Sequence, residues 1–69
     1  MYIVIELQTA ATTSVIPFAY DDKLQAEAKY HQLLSVAATS NVPKHGVVML
    51  TGEGLFLKSE CYEHTVTEA

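Results

Sequence analysis

The stretch DDKLQAEAKYHQLLSVAATSNVP, residues 21–43, decides the fold, because it alone reads as a helix and it lies between two pairs of extended apolar runs. Asp21 and Asp22 supply cap oxygens and negative charge at its start, and strong helix formers follow. At 100° per residue, Ala26, Tyr30, Leu33, Leu34, Ala37 and Ala38 share one side, and Gln25, Lys29 and Gln32 share the other. A helix of four to five turns is expected near Asp22 to Ala38, with its apolar side on a sheet. TSNVP ends it, because Ser40 and Asn41 favour turns and Pro43 biases Val42 away from helical geometry.

Upstream, MYIVIELQ (1–8) alternates Met1, Ile3, Ile5 and Leu7 with Tyr2, Val4, Glu6 and Gln8, the period of a strand. The small polar TAATTS separates it from a second apolar run, VIPFAY (15–20), so the pair reads as a hairpin with a loose loop. Downstream, two more apolar runs, about 46–51 and 55–62, flank Gly52-Glu53-Gly54. The glycines there can adopt the positive φ of a tight hairpin, and the short motif lacks the lysine and longer glycine pattern of a phosphate loop. The expected unit is a single α+β domain, ββαββ, over residues 1–64, followed by a flexible tail at 65–69.

Pro17 cannot donate to a sheet ladder, which puts the second strand at an edge, and Lys58, Ser59 and Glu60 mark the fourth as a charge-protected edge. The expected order is 2-1-3-4, a mainly antiparallel sheet with the helix on one face. The alternative is 2-1-4-3, the β-grasp-like order, with strands one and four parallel.

The chain has 69 residues, one cysteine, four lysines, no arginine and a formal net charge of −4. A domain of this size buries only about 60% of the surface its unfolded chain exposes, and a lone Cys61 allows no internal disulfide, so a metal or a partner is the remaining support. Without arginine and with net negative charge, nucleic-acid binding is not expected. The start MYIVIE has no basic stretch or cleavage pattern, and no apolar run approaches the ~20 residues of a membrane span, so a cytoplasmic, membrane-free setting is expected.

One helix covers one sheet face, yet strands one to three are apolar on both. The exposed remainder implies an interface, and the expectation is a homodimer and a non-enzymatic protein-interaction module. Tyr2, Val4, Val48, Leu50 and Tyr62 are the candidate interface residues, the tyrosines because they bring large area at small entropic cost.

The polar candidates are Glu27, His31, His45 and His64. Three imidazoles could hold zinc, but their spacing matches no compact metal motif, so no metal or other cofactor is expected. Glu27, nearer the apolar side of the helix than its charge suggests, reads as a first-turn carboxylate paired with Lys23 or His31, or as a general base if enclosed. Cys61, with Leu55 and Leu57, falls on the core or interface side of its strand as a small hydrophobe, and a Cys61–His64 nucleophilic pair is awkward because residues three apart on a strand point to opposite faces. Two further readings therefore stand beside the interaction module. One is a small-ligand binder or enzyme with Glu27, His31, His45 and Tyr62 at a dimer seam, and the other is a histidine-based metal binder.

The run MYIVIELQT, the segment AYDDKLQAEAKYHQLLSVAA, the following VPKH and the closing CYEH resemble a group of very small uncharacterised proteins of gut-bacterial chromosomes and prophage-like elements. The resemblance covers most of the chain and implies a bacterial or phage cytoplasmic setting, with an accessory role in a mobile element. It implies no activity, ligand or site residue.

Overall fold

A computed structural model describes residues 1–64 of the chain, and the tail expected at 65–69 lies outside the described residues. The elements follow in the order β1 (Tyr2–Thr9), β2 (Thr13–Tyr20), α1 (Lys23–Thr39), β3 (Lys44–Thr51) and β4 (Phe56–Glu63). The four strands form one sheet in the order β2-β1-β3-β4, every neighbouring pair antiparallel. The β-grasp-like alternative, with β1 beside β4, is thereby excluded. β1 and β3 hold the centre, as two strands apolar on both faces must, and the edges fall to Pro17-bearing β2 and to β4.

The helix begins where the aspartates place it. Asp22 has extended backbone angles and its carboxylate accepts a hydrogen bond from the Leu24 N–H at 3.0 Å, which satisfies one of the donors a helix start leaves open. At the other end the Ser40 N–H donates to the Ala37 carbonyl and the Thr39 hydroxyl donates back to Ser35 and Val36. Ala26, Tyr30, Leu33 and Ala37 are buried and Leu34 is half-buried, as the helical spacing requires, whereas Ala38 is exposed. Val4, Val47 and Met49 meet the helix from the sheet with no exposed surface, and Tyr2, Phe18 and Tyr20 close the sides of this core. Two alanines in the contact stripe let the helix lie close over β1 and β3.

The strands run slightly beyond the apolar runs that betray them. β2 starts at Thr13, whose hydroxyl lies 3.4 Å from that of its partner Thr9, so polar residues continue the ladder past Val15. β3 starts at Lys44, two residues before Gly46, because His45 is anchored by buried polar partners described below. In the second hairpin Gly54 has φ +89°, the left-handed region, and its N–H donates to the Thr51 carbonyl at 2.9 Å. Leu55 belongs to this turn, and a bulge shifts the β3–β4 register so that Met49 faces Lys58 while Leu50 faces Phe56. Leu57 is the extra residue of that bulge, which breaks the alternation expected to group Leu55, Leu57 and Cys61 on one face.

Candidate functional site

The strand register assigns every side chain to one of two faces. On the helix side, Glu6 and His45 occupy core positions, Glu6 two residues beyond Val4 and His45 two before Val47, and as diagonal neighbours across β1 and β3 they meet. The His45 Nε2 lies 2.7 Å from the Glu6 carboxylate and its Nδ1 lies 3.0 Å from the Ser40 Oγ. His45 is 1% exposed and Glu6 7%. Ser40 Oγ also accepts from the Val42 N–H at 3.2 Å. Opposite an ionised carboxylate, which only accepts, Nε2–H is the donor, and Nδ1 is left to pair with the serine hydroxyl. Among the described residues no buried side-chain nitrogen or oxygen is left without a partner.

This acid, imidazole and hydroxyl run in the same order as the groups of a nucleophilic hydrolase. Here the run ties the centre of the sheet to the loop that ends α1. His64 acts at the same end of the helix, where its Nε2–H donates to the Ala37 carbonyl at 2.8 Å and its backbone N–H to the Pro43 carbonyl. A histidine on the last carbonyls of a helix satisfies an acceptor that the helix leaves open.

Glu27 and His31 lie elsewhere. Glu27 pairs with Lys58 of β4 at 3.2 Å, rather than with Lys23 or His31, and that hydrogen bond and charge hold its carboxyl below the usual 4.5. The Lys58 ammonium also stands 5.0 Å from the centre of the Tyr30 ring, and burial, followed by the nearby Glu60 and Tyr62, pushes the Tyr30 hydroxyl up. His31 is exposed, its ring edge-on to Tyr30. The four polar candidates thus separate, His45 and His64 at the C-terminal end of the helix, Glu27 against Lys58 nearer its start and His31 exposed at its middle, instead of gathering in one cavity. Among the described residues no group of three or more His, Cys, Asp or Glu side chains is placed to hold a metal ion.

The expected interface set divides as well. Val4 is fully buried beneath the helix, and Tyr2 and Tyr62 are half-buried on that same face, Tyr62 opposite His45. Their assignment to a shared interface with Val48 and Leu50 therefore needs correction: adjacent positions on paired strands alternate faces, and Val4 is opposite Met49 while Val48 is opposite Ile5.

Val48 and Leu50 belong to the open face, and there the residues align in rows across all four strands. Phe56, Leu50, Ile3 and Ala19 form one row, Ser59, Val48, Ile5 and Pro17 the next, and Cys61, Gly46, Leu7 and Val15 the third. No charged side chain interrupts these rows, and Val15 and Phe56 are 58% and 62% exposed. Glu63, Lys44, Thr9 and Thr13 close the face with a polar row. Cys61 is exposed on this face rather than buried. Because Gly46 carries no side chain, a groove of about 230 Å³ opens over it, walled by Leu7, Val48, Ser59 and Cys61.

Ile3, Ile5 and Leu7 were legible as one face of β1. Glu6 and Ser40 were not singled out, although a carboxylate in step with Val4 on a central strand signals a buried partner. No protein family, curated protein or solved structure matches the chain. No helix among the described residues is long and apolar enough to cross a membrane.

Proposed function

We propose that this chain is a non-enzymatic protein-interaction module that works as a homodimer, the open sheet face of one copy lying against that of another. The observation that carries this reading is the three uncharged rows from Phe56 to Val15, apolar apart from Ser59 and Cys61, on the face the helix leaves uncovered. Four strands of eight residues span roughly 26 Å by 19 Å at ordinary strand rise and spacing. That plan, about 500 Å², is the same order as the ~800 Å² per partner of a standard interface and falls at the small end of it. A small chain with no disulfide gains its second layer most directly from its own copy.

The buried polar run fits this reading as a part of the framework. It fastens β1, β3 and the end of α1 together, and its histidine is enclosed. Sedimentation of the purified chain from low to high micromolar concentration tests the proposal. A concentration-dependent shift to twice the 7.6 kDa chain mass is expected. A species that stays monomeric at high micromolar concentration overturns it.

A further inference from the structure

The relief of the open face points to how the two copies meet, given the dimer proposed above. One end of the β3–β4 half stands high, with Phe56 beside Leu50, and the other is cut down to Cys61 beside Gly46, where the groove lies. The notch is built into the strand pairing. A Cβ added at Gly46 would meet Cys61 Cβ and the Glu60 carbonyl oxygen, both at 3.3 Å.

We infer that the two-fold axis of the dimer runs across the strands at the level of Val48 and Ile5, so that Leu50 and Phe56 of each copy seat over the Gly46–Cys61 notch of the other. Such an axis stacks β3 on β3 and β4 on β4 with opposite strand direction. It carries the Phe56–Leu50 row over the Cys61–Gly46 row, and an isologous pair makes the contact twice. Sheets packed ~10 Å apart and within about 30° of alignment interdigitate in this manner.

The other two-fold that brings the faces together runs along the strands. It would stack β3 on β1, set Leu50 over Ile3, and bring the two Lys44 ammonium groups to the same end of the seam. The axis across the strands moves those lysines to opposite ends instead. Each then faces the Gly52-Glu53-Gly54 turn of the other copy, where the exposed Glu53 offers an opposite charge, with Glu63, the β4 partner of Lys44, as the like charge beside it.

The experiment is an isotope-filtered nuclear Overhauser measurement on dimers mixed from labelled and unlabelled chains. Contacts between copies are expected from Leu50 methyls to Gly46 Hα and from the Phe56 ring to Cys61. Contacts from Leu50 to Ile3 and from Phe56 to Ala19 would overturn the axis while leaving the dimer standing. A sample with no contacts between copies and monomeric sedimentation would remove the dimer itself. A charge exchange reads the same geometry. Lys44→Glu should weaken association several-fold, and Lys44→Glu with Glu53→Lys should restore it; a double variant as weak as the single one contradicts the axis.

Discussion

His45 illustrates why single buried polar side chains matter in a chain this short. Its imidazole and the Glu6 carboxylate are 2% and 10% exposed as side chains, so removing the imidazole leaves the carboxylate buried without its partner, and removing the carboxylate leaves the imidazole with Ser40 alone. Breaking a buried pair on one side costs about 3–5 kcal/mol, against a total stability of roughly 3–10 kcal/mol for a chain of this length. His45→Ala should therefore lower the urea unfolding midpoint severely or abolish the transition. Glu6→Leu with His45→Leu, which removes both partners, should recover at least half of the loss. Failure of the double variant to recover would mean that the pair does more than fill and fasten the core. Glu27 gives a contrasting case, because its pair with Lys58 is partly exposed and solvent screens it. Its carboxyl is held below 4.5 by Lys58, so the stability that the pair contributes is present above that value and lost as pH falls through the lowered folded-state value. Unfolding midpoints measured from pH 7 to pH 3 should fall less for Glu27→Gln than for the parent on the acid limb.

At the scale of elements, the helix is held by a cap at one end and by two histidine contacts at the other. Asp22 accepts the Leu24 N–H, the Ser40 hydroxyl pairs with His45 Nδ1, and the Ala37 carbonyl accepts from His64. Asp22→Ala should cost about 1 kcal/mol, read as a lower urea midpoint with an unchanged slope, since the cap touches no core residue. The position of the helix was legible because its apolar residues recur with helical period and its ends carry turn chemistry. The beginnings of β2 and β3 were less legible, since Ser14, Lys44 and His45 do not look like strand residues and Thr13 lies in a small polar run. They become strand because β1 offers ladder partners opposite them. Cys61 and Leu57 were misgrouped for a related reason. A single bulge at Leu57, between Phe56 and Lys58, shifts the alternation, and no local pattern in the residues announces it.

For the whole molecule, the proposed dimer makes stability depend on concentration, because association stabilises the form that associates. Val48→Asp places a carboxylate in the middle row of the open face, away from the helix-side core. It should give a monomer by sedimentation and abolish any rise of Tm with protein concentration. A Val48→Asp variant that sediments as the parent does would show that this face is not the seam. The sequence by itself determined the number, kind and order of the elements, since periodicity, caps and turn residues act over a few positions. Apolar alternation on both sides of β1 and β3 also showed that one helix could not cover the sheet. Only the tertiary structure decided which side chains of different strands share a face, and which of the two faces the helix covers. Strand register is set by pairing between segments distant in the chain, and a shift of one residue exchanges the two faces. That is why Val4 proved to be core while Val48 is open surface. It is also why Glu6, His45 and Ser40, up to 39 positions apart, come together in one buried run.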